Sequence, residues 1–156
     1  MGQQQLLLLV LSTVIVGLAT VAGIQAFSEG QTQATQDALT QRGISIGQDI
    51  SAQLNKPSQL GGISTDSDAG QIAAAVGLDD GTSNDGKGIP AGGAGDEADC
   101  DITGTGSSVV EITCAENGSG GGNSSDPSQD NQTVTVETDQ NGANVVSING
   151  TDIGSI

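Results

Sequence analysis

The chain has 156 residues, a net charge of −16 at pH 7 and one aromatic residue, Phe27. So acidic a chain lacks the cationic side chains that displace counterions from phosphates, which excludes nucleic acid as a partner. Histidine is absent, which removes the commonest general acid–base residue and the imidazole metal ligand. The composition therefore predicts a protein that is not an enzyme and that holds no cofactor or metal.

The net charge also affects the association of identical copies of the chain. Identical subunits with nineteen acidic and three basic residues repel one another unless salt screens them. The Debye length falls to ~3 Å near 1 M salt, which is short enough to suppress this repulsion. We therefore expect a halophilic source.

The most distinctive stretch is Leu6–Ile24, which is almost wholly apolar and which we call the apolar span. A run of this length matches the ~20 apolar residues that cross a ~30 Å hydrocarbon layer. A secretory signal peptide begins with a basic region, whereas neither Lys nor Arg precedes this span. We therefore expect the span to remain in the mature protein, either in lipid or in the interior of an assembly.

Helical signals continue beyond the apolar span. The segment from Gln25 to Leu54 contains no proline, and Pro57 ends it because the residue before a proline is disfavoured in the α region. Its apolar residues and one glycine recur on one helical face, at Leu39, Gly43, Ile46, Ile50 and Leu54. The sequence thus predicts one helix from about Gly2 to Asn55, apolar all round in its first half and amphipathic in its second.

The middle of the chain predicts one short helix between two connections. Positions 58–68 form a polar connector, and Asp66-Ser67-Asp68 precedes Ala69–Leu78 as a candidate N-terminal cap. Ile72 and Val76 would share a face of that helix. Asp79–Asp99 is dense in Gly and Asp, which is typical of an exposed loop.

The last third of the chain predicts β-strands. Val109–Cys114 alternates in polarity, with Val110, Ile112 and Cys114 on one face. Two further strands, Gln132–Asp139 and Ala143–Asn149, flank a three-residue loop that would hold Gly142 in the left-handed conformation.

This hairpin would set Val136 opposite Val146 and Val134 opposite Ile148. Asn149-Gly150 offers another tight turn before Thr151–Ile156. We therefore predict an α+β fold, with a long helix over residues 1–55 and a small β-rich, extracellular head over residues 56–156.

The two cysteines, Cys100 and Cys114, predict an extracellular disulfide, because they lie in a chain that begins with a membrane-type helix. Bridging them closes a loop of ~15 residues, which contributes about 3 kcal/mol in the chain-entropy model. The head has few large apolar residues, so this contribution is a considerable one.

Three sets of polar residues in the head are candidate sites. Four N-glycosylation patterns begin at Asn117, Asn123, Asn131 and Asn149. The segment 79–86 resembles a calcium loop in composition, but it lacks the required acid spacing and terminal Glu, so we interpret it as a solvated acidic loop. Glu97, Asp99 and Asp101 surround Cys100 without a partner group that could support catalysis.

An N-terminal helix that is apolar and then amphipathic, followed by a β-rich head with one disulfide, resembles the type IV pilins and pseudopilins. In that family the apolar half waits in the inner membrane and later forms the core of a helical filament. The resemblance implies self-assembly, a pilus assembly machinery and a prepilin peptidase as partners. It implies an assembly helix whose contact residues would be Met1, Gln5, Leu6, Val10, Val14, Gly17, Val21, Ile24 and Phe27.

The chain differs from the bacterial pattern at the fifth position, where Gln5 replaces the glutamate that neutralises the N-terminal amine of a neighbouring subunit. Two mature starts are open: Met1, or Gln3 after cleavage behind Gly2. The expected function is that of a major pilin in an extracellular filament. The alternatives are a pseudopilin of a secretion system, a monomeric membrane-anchored surface protein and a virus coat protein.

Overall fold

A computed structural model describes residues 2–78, 88–95, 98–104, 108–116 and 132–154. The chain divides into two compact units, and the division falls within a helix, between Gln33 and Ala34. We call residues up to Gln33 the N-terminal unit and residues from Ala34 onward the sheet unit. The predicted boundary at residue 55 separates the whole helix from the head, whereas the amphipathic half of the helix belongs to the sheet unit.

Helix α1 spans Gly2–Leu54, which confirms the predicted long helix to within one residue at its C-terminal end. Asn55 caps that end, because its Nδ2 donates to the carbonyl of Ser51 at 3.0 Å and to that of Gln140 at 2.8 Å. A 3₁₀ turn follows at Ser58–Leu60. The expected effect of Pro57, to stop the helix just before it, is therefore confirmed.

The short helix α2 spans Ala69–Ala75 and ends three residues before the predicted Leu78. Gly77 has φ 73°, and the amides of Gly77 and Leu78 donate back to Ala74 and Ala73, which is a Schellman ending. The predicted cap Asp66-Ser67-Asp68 lies at the expected place, but the side chain of Asp68 does not cap the helix. This residue occupies the N-cap position but makes no side-chain hydrogen bond there.

Within the described residues, six antiparallel strands form one sheet in the order β1-β2-β3-β4-β5-β6, so each strand pairs with the next in sequence. Together with α1, this sheet confirms the predicted α+β fold. The strands are β1 Ile89–Pro90, β2 Asp99–Gly104, β3 Val110–Ala115, β4 Thr133–Asp139, β5 Gly142–Ile148 and β6 Thr151–Asp152.

Two of the strands, β1 and β2, were not predicted from the sequence. β1 lies within the predicted loop Asp79–Asp99, and β2 begins at the last residue of that loop. Both are short, and β2 has only one large apolar residue, Ile102, so neither shows a clear alternation. β1 forms by pairing with β2, and β2 forms by pairing with β3. This pairing is a tertiary effect that the local sequence pattern does not reveal.

The register of the β4–β5 hairpin differs from the predicted one by one residue between the bulge and the turn, from Val136 to Asp139. Val134 pairs with Ile148 as predicted, but Val136 pairs with Val145 instead of Val146. The register shifts between Thr135 and Val136, which leaves Val146 as the extra residue of a bulge on β5. A bulge inserts one residue without changing the turn signals, which is why the sequence pattern did not reveal it.

The loop of this hairpin has two residues and not the predicted three, because Asp139 pairs directly with Gly142. Gly142 has the expected positive φ, at 148°. The Asp139 carboxylate accepts hydrogen bonds from the backbone amides of Asn141 at 2.7 Å and Gly142 at 3.1 Å. These bonds close the turn around the acidic side chain.

The hydrogen bonds from the Asn141 backbone amide, and then from its side chain, lower the pKa of Asp139. Because the folded pKa lies below the unfolded value of about 3.9, this carboxylate stabilises the fold above that pH. The contribution is lost as pH falls through the folded pKa.

Asp139→Ala should therefore lower the unfolding midpoint in denaturant at pH 7 more than at about pH 2.5, measured by circular dichroism. An equal loss at both pH values would contradict the assignment.

The predicted Asn149-Gly150 turn is confirmed, since it connects β5 to β6 and Ile148 pairs with Thr151 across it. Asn149 has φ 50° and Gly150 has φ 72°, and two central residues with positive φ are the hallmark of a type I′ turn. β6 itself is shorter than the predicted segment Thr151–Ile156, because its pairing ends at Asp152.

The core of the sheet unit lies between one face of the sheet and the amphipathic half of α1. The predicted helix face is confirmed, because Leu39, Gly43, Ile46, Ile50 and Leu54 are all buried. The sheet supplies the predicted residues Val110, Ile112 and Cys114, together with Val134 and Val136 from β4. Ile72 of α2 is fully buried at the same core, and its predicted partner Val76 is partly buried against it.

Two glycines allow α1 to approach the sheet closely. A methyl group at Gly47 would lie 2.6 Å from Cβ of Ala143, and one at Gly43 would lie 2.9 Å from Cγ2 of Val136. At the first of these positions helix and sheet also meet through a hydrogen bond, since Oγ1 of Thr138 donates to the carbonyl of Gly47 at 2.8 Å. These glycines set the distance between helix and sheet.

Gly47→Ala should therefore destabilise the protein, although alanine favours a helix by about 1 kcal/mol over glycine. Overpacking a core costs ~1–3 kcal/mol, and Cβ of Ala143 is fixed to its backbone, so we expect a net loss of ~1 kcal/mol. The measurement is denaturant unfolding of the full chain in detergent.

Gly30→Ala is the matched control, because a methyl group there would meet nothing within 4 Å. It should leave the free energy of unfolding unchanged or raise it slightly. A loss of stability as large as that of Gly47→Ala would show that helix flexibility, and not close packing, explains both glycines.

Candidate assembly surface

The N-terminal unit presents an apolar surface to its surroundings. Every large apolar side chain from Leu6 to Phe27 is between 50 and 70% exposed. None of the most apolar stretch of α1 is buried, and the helix is long and apolar enough to cross a membrane. Exposed apolar patches of this kind normally mark contact with another protein or with lipid.

Two of the three polar side chains inside the apolar span, those of Thr13 and Thr20, suit an apolar environment. Oγ1 of Thr13 donates to the carbonyl of Val10 at 2.9 Å, and Oγ1 of Thr20 donates to the carbonyl of Gly17 at 2.8 Å. Both hydroxyls thus have a partner within their own helix. Burying an unsatisfied hydroxyl would cost several kcal/mol, so this internal bonding removes one obstacle to surrounding the helix with apolar groups.

The glycines of the span leave room for close approach. A methyl group at Gly17 or Gly23 would meet nothing within 4 Å. Open glycine and alanine positions let two helix backbones come near each other in a membrane-type environment. Ala19 and Ala22 are likewise exposed.

The residues that the resemblance assigns to the assembly helix all lie on this exposed unit, apart from Met1, which is outside the described residues. The exposed members are Gln5, Leu6, Val10, Val14, Gly17, Val21, Ile24 and Phe27. Six of them, from Leu6 to Ile24, recur three or four positions apart and therefore share one face of the helix, while the exposed apolar side chains between them cover the other faces. A helix that is apolar all round is suited to burial on every side, within lipid or within a bundle.

The predicted disulfide between Cys100 and Cys114 is confirmed. The two residues are directly paired on β2 and β3, and both are fully buried on the face that α1 covers. A methyl group at Gly43 would lie 3.3 Å from Sγ of Cys114. The disulfide is therefore part of the sheet surface against which the helix packs.

Of the four candidate glycosylation sites, only Asn149 lies among the described residues; Asn117, Asn123 and Asn131 lie outside them. Asn149 is exposed in the turn between β5 and β6. Its Oδ1 accepts from the amide of Thr133 at 2.9 Å, and its Nδ2 donates to Oε1 of Gln132 at 3.0 Å. The nitrogen that would carry a glycan therefore already has a structural bond, and its glycosylation stays a prediction.

The acidic segment 79–86 and Glu97 lie outside the described residues. Asp99 is bound locally, because its Oδ2 accepts from the amide of Gly88 at 3.1 Å, and Asp101 is fully buried on β2. Within the described ranges, no cluster of three or more His, Cys, Asp or Glu residues could hold a metal ion.

Sequence reasoning missed the contacts that join helix and sheet through Gly47, Thr138 and Asn55. Gly47 was the one position at which a signal existed. It follows Ile46 on the buried side of the helix, so a second glycine on that side four residues after Gly43 could have indicated close packing.

Comparison of the chain with protein-family models, with curated proteins and with solved structures gives no match.

Proposed function

We propose that this chain is the structural subunit of an extracellular filament of the type IV pilus kind, and that its N-terminal unit forms the filament core. The observation that carries the proposal is the division of α1 into two halves. The first half is apolar on all sides and exposed, whereas the second half is buried on one face against the sheet. The first half therefore lacks the cover that the second half already has.

Assembly would supply that cover. Before assembly, the N-terminal unit resides in the inner membrane, where a helix satisfies every backbone amide internally. When the subunit leaves the lipid, the same apolar side chains pack against those of other copies. Burying apolar surface yields roughly 25 cal/mol per Å², so a unit exposed along its whole length gains considerably from such packing.

The sheet unit is suited to the outside of such a polymer. It closes its own core around a disulfide, and most of the acidic residues of the chain lie in it. Acidic heads would keep the filament soluble and would require salt to assemble closely, which agrees with the expected halophilic source. Attachment of glycans would add to this outer surface.

A monomeric surface protein anchored by α1 is the competing function, because lipid alone could cover the apolar span. A pseudopilin would share the helix but form a short periplasmic assembly. Only a pilin is expected to yield long filaments outside the cell. Recovery of such filaments therefore distinguishes it from both alternatives.

The test is negative-stain electron microscopy of material sheared from cells, with mass spectrometry of its main protein band. Long uniform filaments composed of this chain are the expected result, and the spectrum would identify the mature N-terminus and any glycan mass. Recovery of the chain only from detergent-extracted membranes, with no filaments, would overturn the proposal in favour of the anchored monomer.

A further inference from the structure

The charges of α1 are few and unevenly divided. The N-terminal unit carries one charged residue, Glu29, while the rest of the helix carries Asp37, Arg42 and Asp49. Arg42 is thus the only cationic side chain in a helix of 53 residues. In a chain with only three basic residues, such a cation is a scarce partner for a carboxylate.

Glu29 has no cation near it on its own helix. A helical ion pair requires partners three or four positions apart. For Glu29 those positions hold Gln25, Ala26, Thr32 and Gln33, none of which is charged. The carboxylate is exposed, and it follows Phe27, the last large apolar residue of the N-terminal unit, by two positions.

Arg42 is also without an acid at helical spacing, because Ala38, Leu39, Ser45 and Ile46 occupy the corresponding positions. The side chain is half-buried at the margin of the helix face that packs on the sheet. Its Nε is buried and has no hydrogen-bond partner among the described residues. Arg42 therefore has neither an acid at helical spacing nor, among the described residues, an acceptor for its Nε.

In a polymer, a second copy of the chain can supply the missing partner of both side chains. If the exposed surface that ends at Phe27 is covered by another copy, Glu29 enters that contact as well, and removing a carboxylate from water without a counter-charge is costly. We infer that Glu29 of one copy pairs with Arg42 of a second copy, and that this pair fixes the axial register of neighbouring subunits. The inference rests on the proposed function and names the contact by which its subunits align.

Charge reversal tests this pair in the assembled protein. Glu29→Arg and Arg42→Glu should each lower the yield of sheared filaments by about tenfold or more, which corresponds to at least ~1.4 kcal/mol. The double variant Glu29→Arg/Arg42→Glu should restore most of the yield, because it re-creates the pair with its signs exchanged. The matched control is Asp37→Arg combined with Arg42→Glu, which makes the same changes on the helix and should not restore the yield.

Cross-linking provides a second readout that does not depend on yield. All cysteines in the described structure are bonded to each other, so introduced thiols have no native competitor. The variant Glu29→Cys/Arg42→Cys should give a ladder of disulfide-linked multimers from oxidised filaments on a non-reducing gel. Glu29→Cys/Gln48→Cys, with the second thiol at another exposed position of α1, should not.

The outcomes separate this inference from the function on which it rests. Normal filaments from both single reversals, or no ladder from the 29/42 pair, overturn the pairing and leave the filament proposal intact. If the wild-type chain forms no filaments, the proposed function is overturned, and the pairing with it.

Discussion

Val14→Asp should abolish filament formation. Val14 lies in the middle of the apolar span and is 53% exposed, so an aspartate there would face whatever surrounds the helix. A carboxylate near the centre of a membrane-spanning helix costs ~2.5–3.5 kcal/mol by insertion scales. In a filament core the same charge would be surrounded by the apolar side chains of neighbouring subunits, without a counter-charge. We expect no filaments in sheared material examined by electron microscopy.

Two controls define the cause of this loss. Gln48→Asp adds the same charge to an exposed position in the amphipathic half of α1 and should leave filament yield within about twofold of wild type, since an exposed charge typically changes stability by ~0.5 kcal/mol or less. Val14→Leu keeps the position apolar and should also assemble. Abundant filaments from Val14→Asp would show that residue 14 is not buried in the assembly.

Removing the disulfide should cause the largest loss of stability in the sheet unit. Cys100→Ala/Cys114→Ala releases a loop with a sequence separation of 14, for which the chain-entropy model gives about 3 kcal/mol. The substitution also removes two buried sulfur atoms, of which that of Cys114 lies beneath Gly43, so the packing between helix and sheet is weakened as well. The measurement is denaturant unfolding of the full chain in detergent.

The reduced wild-type chain separates the two causes, because it opens the loop while it keeps both sulfur atoms. It should lie between the oxidised wild type and the double variant in free energy of unfolding. A loss below ~1 kcal/mol for the double variant would contradict the view that the bridge compensates for a small core.

The helical part of the fold was predictable because its signals are long and consistent. A run of apolar residues, followed by Leu39, Ile46 and Ile50 at helical spacing and then by Pro57, leaves few alternatives over 53 residues. The same holds for β3 and β4, in which polar and apolar residues alternate in the sequence and in burial. In these elements local pattern and tertiary burial agree.

The errors fall where a tertiary partner decides the local structure. β1 has two residues, and it forms only because Ile89 and Pro90 pair with β2. The bulge at Val146 and the two-residue loop before Gly142 depend on the register in which β5 pairs with β4. No rule of periodicity could supply these details, since each changes the register by one residue without altering the composition.

The candidate site shows the same division. The exposed apolar surface follows directly from composition, because a helix that is apolar on every side cannot be covered by one small head. The identity of its cover does not follow, since lipid and other copies of the helix satisfy the same side chains equally. Under the proposed pairing, the charges of Glu29 and Arg42 distinguish the two, because a second copy carries the complementary charge for each.

The most direct test of the filament account is a cryo-electron microscopy reconstruction of the sheared filaments. We predict a core of parallel α-helices with side-chain density for Leu6–Ile24 facing neighbouring copies, and the acidic heads on the outside. A reconstruction in which the N-terminal helices are absent from the core, or in which the sheets alone form the contacts between subunits, would contradict it.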